Sequence, residues 1–233
     1  MLRNFLFKIF FFFGIAFISI LFLPALILPQ NITLIGGKIM GYWTKYCLRI
    51  FLSVKTNIIG KENIVTGEKF FIACSHQSMF ETFFLQTIFN SPIFILKKEL
   101  IKIPIFGWYL KKIGSISISR NKITKDNLGF FNQISNAVKK SKRPLIIFPQ
   151  GTRLLPDDRS EFKKGVGKLY EELNIKCQPV AINSGRIWPK NGMKKTNSIL
   201  TISILDPINP GMDKDIFVKN LQDKIYSELD ELG

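Results

Sequence analysis

Apolar and polar positions along this chain follow two different patterns, with the change near residue 55. From Ile9 to Leu28 the chain is uncharged and almost wholly apolar. Twenty residues of helix reach about 30 Å, the thickness of a bilayer core. Arg3 and Lys8 precede the run, and Lys38, Lys45 and Arg49 follow it, so flanking charge sets no orientation. Pro24 and Pro29 kink or end a helix. A spanning helix and a re-entrant or in-plane segment both fit. A cleaved signal peptide fits less well, because no small-x-small site follows the run convincingly. From Ile39 to Val54, Tyr42, Trp43, Tyr46, Leu48, Ile50 and Phe51 alternate with Lys45 and Arg49. That mixture reads as an interfacial amphipathic helix with its aromatics at headgroup depth.

Beyond residue 55, short apolar runs alternate with helical patterns. The runs predict strands at residues 70–75, 93–97, 115–119, 145–148, 178–183 and 199–205. Helices are predicted at 81–89, 106–112, 124–140, 163–173 and 213–232. Leu145-Ile146-Ile147-Phe148 is apolar without alternation, as in a strand covered on both faces. Strand–helix alternation of this kind predicts an α/β fold, a mostly parallel central sheet flanked by helices. The chain divides into an N-terminal membrane-anchoring helical segment, 1–54, and an α/β domain, 55–233. Ile216, Phe217, Leu221, Ile225 and Leu229 form a stripe along the last helix that reads as core packing.

Charge narrows the class of partner. The 233 residues carry a formal charge of +16, which points to anionic lipid, a phosphorylated substrate or nucleic acid. No nucleic-acid recognition motif is present, and the aromatics gather in the apolar N-terminal run instead of among the basic residues. Nucleic acid is therefore excluded as a partner. Seven of the cations are arginines, the type that clamps a phosphate bidentately. The three cysteines, Cys47, Cys74 and Cys177, are far apart, form no CxxC pair and, with a single histidine, offer no metal site. A reducing compartment fits them.

The candidate chemistry centres on that single histidine. His76 follows the apolar run Phe70–Cys74 and precedes Glu81. Imidazole is the side chain whose ordinary pKa lies near neutrality, which suits a general base. The position is where a strand meets a helix, and open α/β sheets place their ligands there. Glu81, one turn into the helix, reaches back toward one ring nitrogen and leaves the other free as a base. Two further segments end strands with an arginine. Phe148-Pro149-Gln150-Gly151-Thr152-Arg153 forms a turn in which Gly151 allows close backbone approach, backbone amides cradle an anion, and Arg153 clamps a phosphate. Ile116-Ser117-Ile118-Ser119-Arg120 presents Arg120 in a similar place. Each segment alone also fits an ordinary turn or a surface arginine. Gly165-Val166-Gly167-Lys168 lacks the spacing of a phosphate loop. Cys74 reads as a buried strand cysteine in preference to a nucleophile.

Taken in order, these segments resemble the blocks of the lysophosphatidic acid acyltransferase (PlsC) family. The resemblance covers about residues 60–190. His76–Glu81 matches a His-x4-Asp block, Ile118-Ser119-Arg120 an Ile-x-Arg block, Phe148–Arg153 a Phe-Pro-Glu-Gly-Thr-Arg block, and Pro179-Val180-Ala181-Ile182 a Pro-Val strand. The resemblance implies the glycerolipid-acyltransferase fold and transfer of an acyl group from acyl-ACP or acyl-CoA to the sn-2 hydroxyl of a lysophosphatidic acid. It implies no cofactor, no metal and no covalent acyl-enzyme. His76 and Glu81 would be catalytic, with Arg120, Phe148, Pro149, Gln150, Gly151, Thr152, Arg153 and Lys98 binding substrate. Amides near Gly151 would face the oxyanion. The partners implied are membrane lipids and the acyl carrier. The place implied is a bacterial cytoplasmic membrane, with the catalytic domain facing the cytoplasm. Two residues depart from the pattern: Glu81 stands for the usual Asp and Gln150 for the usual Glu, as in a bacterial subset of the family. These changes bear on the acceptor, and glycerol 3-phosphate, a lyso-aminolipid or a silent anionic-lipid binder are the alternatives they raise.

Overall fold

A computed structural model describes residues 1–118 and 126–233, the side chains of 126–128 excepted. Two helices open the chain, α1 (Leu2–Leu21) and α2 (Gln30–Leu52). The α/β part follows as β1 (Lys55–Ile59), β2 (Phe70–Cys74), α3 (Phe80–Ile88), β3 (Ile93–Lys97), α4 (Phe106–Lys112) and β4 (Ile116–Ile118). It continues as α5 (Asp126–Lys140), β5 (Leu145–Ile147), α6 (Gly165–Leu173), β6 (Lys176–Ile182), α7 (Ser184–Ile187), β7 (Ile199–Ile204) and α8 (Lys214–Glu231).

The strands form one sheet in the order β1-β7-β6-β2-β5-β3-β4. All neighbouring pairs are parallel except β6 and β7. The strands β2, β3, β4, β5 and β6 therefore end at one edge of the sheet, while β1 and β7 run the other way. Successive side chains on a strand point to opposite faces. Ile72 and Cys74 of β2 enter a cluster with α2 and α3, and Phe71 and Ala73 enter a second cluster with α6 and α8. Both faces of β2 are thus dry, which explains its continuous apolar run. In α8, Phe217, Leu221, Ile225 and Leu229 are buried as the stripe required, but Ile216 is 61% exposed. Ile216 lies in the first turn, next to Asp213, whose carboxylate caps the helix by accepting from the amides of Asp215 and Ile216.

β1 was not among the predicted strands. It is an edge strand whose exposed positions, Lys55, Asn57 and Ile59, alternate with half-buried ones, so no apolar run marks it. The predicted strand 93–97 appears with those bounds, and the others overlap the predicted ranges with described ends within two residues of them. Helix α5 begins within the predicted 124–140 stretch. Ser119 and Arg120 lie outside the described residues.

The N-terminal pair is a helical hairpin packed on the α/β part. Pro24 falls in a short 3-10 turn, Leu23–Leu26, and Pro29 stands immediately before α2, so the prolines end one helix and start the next. By length and composition, α1 alone among the described helices could cross a bilayer, with a mean hydropathy of 2.1. It is nevertheless held at both ends by the rest of the molecule. Arg3 donates to the Phe51 carbonyl and to Ser53 Oγ, and Asn4 exchanges hydrogen bonds with the backbone of Lys194. At the far end, Tyr109 Oη donates to the Ser19 carbonyl at 2.5 Å. One stripe of α1, Phe7, Phe11, Gly14 and Ile18, is buried. A Cβ on Gly14 would lie 2.1 Å from the Trp43 indole, so the indole of α2 seats directly on the bare backbone of α1 there. Phe5, Phe12, Phe13 and Phe17 face outward. A face of this kind is suited to a bilayer and not to water. The division at residues 54/55 coincides with the end of α2, yet Phe7, Phe11 and Leu48 share a cluster with Ile72 and Ile182.

Candidate active site

His76 lies just beyond β2, between the ends of β5 and β6. The pairing of β2 with β6 extends one residue past Cys74, because the Ser75 amide donates to the Val180 carbonyl and Ser75 Oγ accepts from the Ile182 amide. The chain then leaves the sheet. On the other side, the His76 amide donates to Gln150 Oε1 at 2.7 Å, and the Leu154 amide donates to the His76 carbonyl at 2.9 Å. The loops after β2 and β5 are thus zipped together by one bond to a side chain and one between backbones. The imidazole stacks on the Phe148 ring, with centroids 4.1 Å apart and planes 20° from parallel.

Glu81 is fully buried in the first turn of α3. Its Oε1 accepts from the amides of Gln77 at 2.9 Å and Ser78 at 3.0 Å, and from Ser184 Oγ at 2.6 Å. The amino end of a helix favours negative charge, and these three donors favour the ionised form. Burial outweighs them and pushes the carboxyl up to about 7. Oε2 accepts no hydrogen bond from the described residues. The added methylene of glutamate is therefore accommodated by the carboxylate folding back onto the turn that precedes its own helix.

The turn after β5 is closed by the Gly151 amide, which donates to the Phe148 carbonyl at 2.9 Å. Gly151 has φ +72°, a conformation that glycine adopts without strain. Its own amide is thus consumed by the turn, so the amides near Gly151 that remain for an oxyanion are those of the residues after it. The amides of Thr152 and Arg153 make no hydrogen bond among the described residues and are the donors left at this place. The Pro149 carbonyl accepts from the Lys163 amide. Gln150 is buried and its oxygen is turned to His76, so it braces the loop and does not project into solvent. Phe148 and Arg153 are half-buried, and the Arg153 guanidinium has no hydrogen-bond or ion-pair partner among the described residues. Lys98 is exposed, at the start of the 3-10 turn that follows β3. That is the same sheet edge, two strands from β2, or roughly 10 Å at ordinary strand spacing. Arg120 lies outside the described residues.

The structure thus brings His76, Glu81 and the 148–153 turn together and leaves Lys98 at the margin. It adds Ser184 and Gln77. Ser184 was legible only as the first polar side chain but one beyond a strand that pairs with β2. Cys74 is fully buried, its thiol pushed up by desolvation and turned to the Ser75 carbonyl, as a packing residue should be.

An open, mostly parallel sheet with its polar side chains gathered beyond the strand ends is the plan of an α/β enzyme. Residues 55–183 match the model of the Acyltransferase family, and the chain belongs to it. It is 30% identical over 165 residues to the 1-acyl-sn-glycerol-3-phosphate acyltransferase of Pseudomonas aeruginosa, covering 70% of this chain and 63% of that protein. It is 31% identical to the Helicobacter pylori protein of the same name, covering 70% of this chain and 69% of that protein. Against the yeast protein of that name identity is 29%, over 86% of this chain and 70% of that protein. The fold is that of the 1-acyl-sn-glycerophosphate (LPA) acyltransferase PlsC from Thermotoga maritima, with TM-score 0.80, 21% identity, and coverage of 99% of this chain and 96% of that one.

Proposed function

We propose that this chain is a 1-acylglycerol-3-phosphate O-acyltransferase, making phosphatidic acid from lysophosphatidic acid and an acyl thioester. The observation that carries the mechanism is the single imidazole in a loop whose next two amides bind the buried Glu81 carboxylate, and whose His76 carbonyl is bonded to the turn that carries Arg153. His76 removes the proton of the free sn-2 hydroxyl. The oxygen attacks the thioester carbonyl, the carbon–sulfur bond breaks, and the carrier thiol leaves with the proton from His76. Alcohol and thioester become ester and thiol, so no step calls for a metal or a redox cofactor. Ionised Glu81 supports the imidazolium through Oε2. The amides of Thr152 and Arg153 face the oxyanion. The Arg153 guanidinium holds the acceptor's phosphate, with Lys98 adding positive charge to the same edge and Arg120 serving as a second phosphate-binding cation.

The outward face of α1 and α2 keeps the enzyme in the lipid surface, where its acceptor and product both reside. With α1 held along the α/β part, the hairpin lies in one leaflet and does not cross both. The formal charge of +16 suits anionic headgroups and an acidic acyl carrier protein. We place the protein on the cytoplasmic face of a bacterial inner membrane.

Acyl transfer by the purified protein in detergent micelles tests this reading. Lysophosphatidic acid is supplied with acyl-CoA and, separately, with acyl-ACP. Phosphatidic acid forms with at least one donor, and His76→Ala lowers the rate on the order of a thousandfold. Absence of product with both donors, or full activity in His76→Ala, overturns the proposal.

A further inference from the structure

We infer that Ser184, the second residue past β6, is a positioning residue that fixes which oxygen of Glu81 is presented to His76. The inference rests on the reading of that pair as base and supporting carboxylate.

Ser184 Oγ donates to Glu81 Oε1 at 2.6 Å, and both side chains are fully buried. The Gln77 and Ser78 amides come from the loop just before α3 and donate to the same oxygen. Two amides from one local turn leave the terminal torsion of a glutamate soft, because that torsion has broad wells. A third donor, from the start of α7 after β6, closes it. With Oε1 held by three donors, Oε2 is the oxygen that remains for the imidazole.

The hydroxyl is itself fixed in place. The Gly185 amide donates to Gln77 Oε1 at 3.1 Å. A Cβ on Gly185 would lie 2.7 Å from Gln77 Cβ, so the Gln77 side chain seats directly on bare backbone. The β2 and β6 loops are thus joined by a closed circuit of Gln77, Glu81, Ser184 and Gly185. A serine serving packing alone would not need its hydroxyl aimed at a carboxylate. Glutamate has one more rotatable bond than aspartate, so this chain has particular need of the extra tether.

Ser184→Ala removes one donor from the ionised carboxyl and so raises the pH at which Glu81 ionises. The acid limb of kcat/KM moves to higher pH, kcat falls about tenfold at pH 7, and KM for lysophosphatidic acid stays unchanged. Ser184→Thr returns a hydroxyl and restores both limb and rate. Because His76 is the sole histidine, its imidazole gives one assignable proton NMR signal. The part of its titration imposed by Glu81 shifts in the same direction in Ser184→Ala without substrate present. A Ser184→Ala protein with the wild-type pH profile overturns the inference, whether or not its melting temperature drops. If that variant does not fold, Ser184→Cys, a weaker donor of similar shape, must show an intermediate shift, and an unmoved limb there is equally fatal. Loss of the underlying reaction reading shows separately, as His76→Ala retaining activity.

Discussion

The Phe148 ring lies flat against the His76 imidazole, 4.1 Å between centroids, so the residue that opens the second sequence block is a wall for the imidazole in the first. An aromatic stack contributes on the order of 1 kcal/mol beyond buried area, and here it also fixes the plane of the ring. Phe148→Ala lets the imidazole tilt, and kcat in micelles drops by about tenfold. Phe148→Tyr keeps the stack and stays within about twofold. Steady-state kinetics of the two variants check this.

The carboxyl of Glu81 ionises near 7, against an ordinary 4.5, because it is buried. The proposed mechanism uses it ionised, so kcat/KM is expected to decline as pH falls through about 7. Stability responds oppositely. Between pH 4.5 and 7 the folded protein binds the proton that the unfolded chain releases, so stability decreases as pH rises across that window. The decrease is on the order of 3 kcal/mol. Glu81→Gln keeps an acceptor for Ser184 and the two amides without the buried charge. It therefore melts at a higher temperature than wild type at pH 8, with acyl transfer reduced at least a hundredfold. Calorimetry at pH 5 and pH 8 shows the stability gain at the higher pH only.

Arg153 is half-buried at the strand edge with its guanidinium unpaired among the described residues. Arg153→Ala raises KM for lysophosphatidic acid by tenfold or more, and Arg153→Lys recovers only part, since an ammonium cannot bind two phosphate oxygens in a fork. With a monoacylglycerol acceptor, which has no phosphate, the variant and wild type converge. Acceptor titrations in micelles measure both.

Gln150 binds the His76 amide through its side-chain oxygen, an interaction that a glutamate can also make. Gln150→Glu therefore keeps activity within a few-fold, whereas Gln150→Ala leaves a buried amide unsatisfied. The alanine variant loses about 1–3 kcal/mol of stability together with activity. Urea denaturation and rate measurements distinguish the two substitutions.

Much of this could be read from the chain, and the failures have physical causes. Apolar runs such as Phe70–Cys74 and Leu145–Ile147 mark strands covered on both faces, and the polar residues after them mark the site. β1 escaped because an edge strand with Lys55 and Asn57 outward has no apolar run to show. Pro24 and Pro29 announced a break, but the docking of α1 through Arg3, Asn4 and Ser19 depends on partners distant in sequence. Gln150 has the right type and place for a substrate contact, and only the fold shows its oxygen turned inward. Ser184 was missed for the same reason: its importance comes from the neighbour of its strand, which sequence order does not give.

Phe7 and Phe11 meet the Trp188 indole edge-on at 5.1 and 5.0 Å, and their cluster runs on to Ile72 beneath the site. The N-terminal helices therefore cannot be trimmed away to leave an intact α/β fragment. A chain begun at residue 55 bares one wall of its own interior and aggregates. On the proposed reading, membrane residence and folding are a single property of this chain, and a surfactant chosen to extract it must cover the outward face of α1 without prising α1 from the core.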